Sequence, residues 1–292
     1  MTTPNNNKSI LVTGGSGFLG IHLIESLRKA GYKIRVFDKT PLPYEISDVE
    51  FILGDLNEET LVNMACNGIN IIFHFAAFSD LNSAKDNPME TVKINILGTT
   101  NLLEAARKNK VEQFIFSSSI YVHSRTGGFY KVTKHSCELI IEEYSNRYGI
   151  KYNILRFGTL YGPMSDEKNS VYYYLKQALK NGKINALGTG DEIREYIDVR
   201  DASDFCIKIL EKKLENKILI LTGHHRMTLR ELLEIINEIL GNNINISYGK
   251  NEPAHYKYTP YSYNKNNGIK LVMDSYRDIG QGLVEILNEI DN

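Results

Sequence analysis

The chain has 292 residues, 42% of them hydrophobic and 24% charged, with a net charge of −1. Such a composition supports a substantial core in one large or two small domains. Near-neutral charge excludes the basic footprint needed for nucleic acid or an anionic membrane, so neither is expected as a partner.

No apolar run approaches the roughly 18 residues of a membrane-spanning helix. Residues 1–7 are polar and read as a disordered lead-in with no signal character. Cys66, Cys137 and Cys206 lie far apart and lack zinc-site spacing. Reduced thiols, no metal and a cytoplasmic location are therefore expected. His224 and His225 are adjacent, cannot share a helix face, and read as loop.

In chain order, strands are predicted at Ser9–Thr13, Lys33–Asp38, Glu50–Leu53, Asn70–Phe75, Glu112–Ser117 and Lys151–Phe157. Between them fall helices at Phe18–Ala30, Pro88–Asn109 and Tyr130–Tyr148, the second with Asn87 as N-cap and Pro88 in the first position. This alternation predicts an α/β fold, a Rossmann-type doubly wound parallel sheet covered on both faces.

After Gly162 the pattern changes. Helices near 168–181, 201–213, 228–240 and 277–290 alternate with short strands near 183–186, 217–221 and 244–247, while 254–267 reads as irregular. A nucleotide domain over 8–162 is expected, with a smaller, mainly C-terminal substrate lobe over 163–292. Some of its segments should return to the first domain.

Thr13-Gly14-Gly15-Ser16-Gly17-Phe18-Leu19-Gly20 follows the first strand and opens the first helix. Glycines there permit a tight turn and close approach of a pyrophosphate, which the helix N-terminus attracts. Asp38 ends the next strand, where a carboxylate bonds a ribose diol and repels a 2′-phosphate. NAD is thus expected over NADP, although Lys39 follows directly.

Tyr130 and Lys134 are four residues apart and share a helix face. A tyrosine titrates near about 10. An ammonium about 4 Å away contributes roughly 4 kcal/mol at an effective dielectric near 20, enough to bring the phenol towards 7. The pair therefore suits proton transfer, with Ser119 nearby at the end of a strand.

Taken together, these motifs resemble the extended short-chain dehydrogenase/reductases, the NAD-dependent epimerase/dehydratases that act on nucleotide sugars. The likeness includes Gly54-Asp55-Leu56, His74-Phe75-Ala76-Ala77 and Asn95-Ile96-Leu97-Gly98-Thr99-Thr100. It also covers Tyr130-x-x-x-Lys134-x-x-x-Glu138 and Leu155-Arg156-Phe157-Gly158-Thr159-Leu160-Tyr161-Gly162-Pro163. The resemblance implies that Tyr130 is the base on a sugar hydroxyl and that Lys134 lowers its pKa. It further implies that Ser119 bonds the reacting oxygen.

Implied NAD contacts are Gly14, Ser16, Gly17, Phe18, Leu19, Asp38, Lys39, Asp55, Leu56, Phe75, Ala76, Ala77, Tyr130, Lys134 and Phe157. Implied contacts to a nucleotide-diphosphate sugar are Ser79, Ser119, Thr159 and Arg194, the last as a guanidinium clamp on the diphosphate.

The chain departs from the family's pattern in three places. Thr159 stands where the family has Asn. Ser119 and Tyr130 are closer in sequence than usual, which leaves Tyr256, Tyr258, Tyr261 and Tyr263 as a candidate replacement wall. Ile120-Tyr121 replaces the Asp-Glu pair of the dehydratases and cannot perform their proton transfers. A C4 epimerase is the expected activity, with a net 4-dehydrogenase or 4-ketoreductase as the alternative. A non-enzymatic NAD-binding regulator is a third reading, disfavoured by the intact Tyr/Lys pair. The helices at 88–109 and 130–148 carry apolar residues at helical spacing, Val92, Leu102, Leu103 and Ala106, then Cys137, Ile140, Ile141 and Tyr144, part of which must cover the sheet. The resemblance, in which many relatives pair these two helices with their copies, implies a homodimer.

Overall fold

A computed structural model describes residues 8–123, 127–211, 214–224, 226–250 and 268–291. Its first strand, β1 (Ser9–Thr13), shows how the fold is built. Ile10 and Val12 are buried in one apolar core while Leu11 is buried in another. A strand that buries both faces belongs inside a sheet with helices on each side.

That sheet grows from alternating units. α1 (Phe18–Lys29) leads to β2 (Lys33–Asp38) and β3 (Val49–Leu53), then α2 (Glu59–Cys66) to β4 (Ile71–His74). Next come α3 (Leu81–Asp86), α4 (Pro88–Val92), a π turn over Lys93–Leu97, and α5 (Gly98–Lys108). β5 (Gln113–Ser119), α6 (Gly128–Tyr148) and β6 (Lys151–Phe157) complete the first half. Helices α2 and α3 are too short for the periodicity of the sequence to show them.

One detail of the expected helix over 88–109 is corrected. It is interrupted by the π turn, whose Asn95 carbonyl accepts the Thr99 hydroxyl at 2.5 Å and the Cys137 thiol at 3.1 Å. Side chains here satisfy a carbonyl in the turn, and a π turn is often found beside a functional site. Asn87 occupies the N-cap position, yet its amide donates back to the Ser83 carbonyl rather than capping.

The second half contributes to two bodies. β7 (Thr159–Tyr161), α7 (Ser170–Asn181), β8 (Lys183–Asn185), β9 (Ile193–Arg194) and β10 (Tyr196–Asp198) come first. α8 (Val199–Glu211) follows and packs on α1, with Phe205 and Ile209 in the same core as Ile24. β11 (Lys217–Leu221) then joins the large sheet. β12 (Met227–Thr228), α9 (Leu229–Ile239), β13 (Asn245–Ser247), β14 (Ile269–Lys270) and α10 (Ile279–Asp291) complete the chain.

The eight-stranded sheet is entirely parallel, in the order β14-β11-β6-β5-β4-β1-β2-β3. A separate core under the short two-stranded sheets joins Leu175, Leu232, Leu233, Leu283 and Ile286 from α7, α9 and α10. Tyr256, Tyr258, Tyr261 and Tyr263 lie outside the described residues.

Strand order reverses between β1 and β4, because the chain winds outwards to β3 and returns beside β1. In such sheets ligands bind beyond the C-terminal ends of the strands at that reversal. No helix among the described residues is long and apolar enough to cross a membrane.

Candidate active site

A cavity of about 490 Å³ opens at the reversal point. That volume falls within the range of small-molecule sites. Its floor is the turn between β1 and α1. Gly14 has φ +74°, and a Cβ there would lie 2.4 Å from the Ala76 nitrogen. A Cβ at Gly20 would lie 2.1 Å from the Gly14 carbonyl oxygen. These contacts explain the glycine spacing: the turn is pressed against both β4's exit and its own helix.

Gly17 caps α1 without a side-chain hydrogen bond, and the first turn of α1 holds no acid. The first N–H groups of a helix have no intrahelical acceptor and carry partial positive charge. Gly17, Phe18 and Leu19 line the cavity, so an anionic group can be held there.

At one end stand Asp38, Lys39 and Asp55. The Asp38 carboxylate accepts the Ser16 N–H at 3.0 Å, and the Thr40 N–H and hydroxyl at 3.0 and 3.1 Å. Burial acts against the Asp55 anion, but hydrogen bonds from Asn57 and the charges of Lys39 and Lys93 hold it below the usual carboxylate range. Leu56, Phe75, Ala76, Ala77 and Ser79 line the remaining wall. Phe157 supports it from beneath, with its ring edge-on to Phe75 at 6.2 Å.

The loop after β4 is held by Asn95. Its Oδ1 accepts the Phe78 N–H at 2.7 Å, and its Nδ2 donates to the Phe78 carbonyl at 3.2 Å and to Thr133 at 2.9 Å. His74 bridges Thr13 at 2.7 Å and Thr99 at 2.9 Å, and burial pushes its pKa down to about 3. It remains a neutral strut between β1, β4 and α5.

Ser119, Tyr130 and Lys134 converge at the end of β5. Ser119 is buried, accepts the Tyr121 N–H at 3.2 Å and hydrogen-bonds Tyr130. Lys134 donates to the Ser117 carbonyl at 2.8 Å, and Ser117 lines the cavity. The expected effect of lysine on tyrosine is corrected in the protein without ligand. Burial raises the Tyr130 pKa to about 12, with the Ser119 hydrogen bond opposing. Burial likewise lowers Lys134 to about 8, opposed by Cys137 and Glu138. The ammonium donates to the Ser117 carbonyl and sits 5.9 Å from the Tyr130 ring centre, and burial of the phenol dominates its pKa.

Glu138 lies one turn beyond Lys134 and does not enter the cavity. It forms a buried two-pronged ion pair with Arg156, at 2.9 Å from Nε and 2.7 Å from Nη2, and accepts the Ser118 hydroxyl at 2.5 Å. The pair binds α6 to β6 and so fixes the height of Tyr130 and Lys134 over the sheet.

Thr159 and Arg194 lie beyond β6. Thr159 donates its N–H to the Glu195 carbonyl at 3.1 Å, while its hydroxyl is buried without a partner among the described residues. Arg194 is buried on β9, its Nη1 3.5 Å from the Tyr196 hydroxyl. The carboxylates beside it are engaged elsewhere: Glu192 accepts the N–H groups of Thr189 and Gly190, and Asp191 lies 3.6 Å from Arg230.

Among the described residues no group of three or more His, Cys, Asp or Glu is placed to hold a metal. All three cysteines are buried and free. His224 stacks on Tyr276 at 4.7 Å.

Residues 10–221 match the NAD dependent epimerase/dehydratase family. The chain belongs to that family. It is 27% identical over 260 residues to an uncharacterized UDP-glucose epimerase of Bacillus subtilis, covering 80% of this chain and 82% of that protein. Its fold is shared with the UDP-glucose 4-epimerase of Thermus thermophilus in complex with NAD. That match has a TM-score of 0.81 and 24% identity, covering 97% of this chain and 99% of that one. The UDP-N-acetylglucosamine 4-epimerase of Methanobrevibacter ruminantium superposes with a TM-score of 0.84 at 24% identity, over 96% and 97% of the two chains.

Several cavity residues of this epimerase/dehydratase chain escape sequence reasoning. Phe37 and Thr40 adjoin residues that were anticipated, and Ile94 and Ser117 lie on elements that were. Lys168 carries no local signal at all, since only the fold brings it across.

The Glu138–Arg156 pair generates a test. Arg156→Met leaves a buried carboxylate unpaired, which costs about 3–5 kcal/mol. Urea denaturation should show that loss, and the double variant Arg156→Met/Glu138→Leu should recover part of it. Equal losses in the single and double variants would contradict the pairing.

Proposed function

We propose that the protein is an NAD-dependent nucleotide-sugar 4-epimerase. The observation that carries this reading is the convergence of Ser119, Tyr130 and Lys134 beside a cavity whose floor is a glycine turn and an uncapped helix N-terminus. The residues fit a dinucleotide: glycine crowding excludes any Cβ from the floor, and the α1 N-terminus suits a pyrophosphate. Gly14, Ser16, Gly17, Phe18 and Leu19 would hold the pyrophosphate half. Asp38 and Lys39 would meet the adenine ribose, Asp55 and Leu56 the adenine, and Phe75 to Ala77 and Phe157 the nicotinamide side.

Bound NAD supplies a hydride acceptor and donor and, when oxidised, a positive charge that favours the Tyr130 phenolate. Tyr130 takes the proton of the sugar C4 hydroxyl as C4 loses its hydride, giving a 4-keto sugar. It returns that proton after the hydride is delivered to the opposite face. Ser119 holds the reacting oxygen. Lys134, fixed by the Ser117 carbonyl, holds its charge beside the ribose and phenol. Arg194, Thr159 and Ser79 receive the nucleotide-diphosphate portion. Residues 8–162 thereby serve mainly the cofactor and 163–292 mainly the substrate. Ile120 and Tyr121 leave no acid–base pair for dehydration. A net 4-dehydrogenase or 4-ketoreductase uses the same groups with exchange of the cofactor. Three free buried thiols accord with a reducing, cytoplasmic setting.

Asp38 Oδ2 accepts only the Ser16 N–H and so retains acceptor capacity for a ribose hydroxyl, and the carboxylate charge opposes a 2′-phosphate. Calorimetric titration is expected to show NAD binding at least about tenfold more tightly than NADP. Equal affinities would overturn this.

Activity is tested with UDP-, dTDP-, GDP- and CDP-sugars, following sugar interconversion and reduced-nicotinamide absorbance together. Interconversion without net absorbance change is expected, whereas net change favours the dehydrogenase. Tyr130→Phe should retain fold and NAD affinity but lose about 10² or more in turnover, the scale of general-base catalysis. Near-normal turnover would remove Tyr130 from the role.

The reading extends to a homodimer through α4 to α6. Leu102, Leu103, Ala106, Cys137 and Ile141 are committed to the protein's own core. Val92 is exposed, however, and along α4, the π turn and α6 Met89, Leu97, Phe129, Val132 and Leu139 also face solvent, Met89 at 80%. Such a face suits a two-fold interface. Light scattering should give twice the mass of 33.2 kDa, and a monomer throughout the micromolar range would refute it.

A further inference from the structure

Resting on the cofactor reading above, we propose that Lys168 is a phosphate ligand for the dinucleotide. It would close over the pyrophosphate from the C-terminal lobe, opposite the N-terminus of α1. Lys168 lines the cavity that Gly17, Phe18 and Leu19 floor, although it lies in the loop between Gly162 and α7.

The loop is fixed from both ends. His22 on α1 pairs with the Pro163 carbonyl at 2.9 Å, which lays the loop across that helix. Asn169 caps α7 by accepting the N–H groups of Val171 and Tyr172, and its own amide donates to the Leu160 carbonyl at 2.8 Å. Between these anchors the Lys168 N–H donates to Asp166 at 3.0 Å. Backbone position is therefore set, and the side chain is left to reach the cavity.

Its ammonium has no hydrogen bond or ion pair among the described residues. The other charges lining the cavity are Asp38, Lys39 and Asp55, and there Lys39 already acts on Asp55. A dinucleotide brings two phosphate charges to the glycine turn. Helix N–H groups supply only partial charge, roughly half an elementary charge. Lys168 supplies the full cation, as a charge-assisted donor to phosphate oxygen.

The assignment separates ligands that contain the pyrophosphate from one that does not. Lys168→Ala is expected to weaken NAD and ADP-ribose binding by about tenfold in calorimetric titration, the scale of one charge-assisted hydrogen bond. Adenosine should bind the variant and the parent alike. Lys168→Arg should restore most of the loss, and added salt should weaken NAD binding less in Lys168→Ala than in the parent. Lys168 is exposed, so circular dichroism should show an unchanged fold. Unchanged NAD affinity in a folded Lys168→Ala protein would overturn the proposal. An equal loss for adenosine, or a loss confined to the nucleotide sugar, would do the same. A parent protein that binds ADP-ribose no better than adenosine would instead overturn the cofactor reading itself.

Discussion

Everything in the site depends on how closely one turn of backbone approaches its neighbours. Where β1 passes into α1, the chain lies so near Ala76 and its own carbonyl at Gly14 that positions 14 and 20 have no room for a Cβ. That crowding places the α1 N-terminus at the mouth of the sheet reversal, with its first N–H groups at the cavity. The cavity, its attraction for anions and the position of Asp38 beside Ser16 all follow. A side chain on those glycines would lift the helix off the sheet and dissolve the site.

The second constraint is the cost of burying ionisable groups. Tyr130 and Lys134 share a helix face, but each is pushed towards its neutral form by desolvation, the phenol upwards and the ammonium downwards. Without ligand the site holds a protonated phenol rather than a base at neutral pH. In the proposed cycle this couples proton removal to arrival of the oxidised cofactor, so the base would form only when its hydride acceptor is present. The Glu138–Arg156 pair ties α6 to β6, and the Ser117 carbonyl fixes the ammonium.

The third constraint joins the cavity wall to α6. Asn95, in the π turn, grips Phe78 on one side and Thr133 on the other. A regular helix through this segment would present its side chains with a different phase. The π turn keeps the amide between the two segments, while Thr99 and Cys137 satisfy the carbonyl it frees.

Local physics made much of this legible. Residues 9–157 alternate short apolar runs with helical periods, which dictates a parallel sheet. The glycine spacing after β1 and the four-residue step from Tyr130 to Lys134 depend only on neighbours along the chain, so sequence alone determined the cofactor turn and the shared face. Tertiary structure decided what long-range contacts control. The π turn depends on Phe78 and Thr133, and Asn87 turns to Ser83 rather than to its own helix. Lys168 reaches a cavity floored about 150 residues earlier because His22 and Asn169 fix its loop. The Tyr130 pKa departs from the pairwise expectation because desolvation sums over every group that surrounds the phenol, and no spacing rule contains that sum.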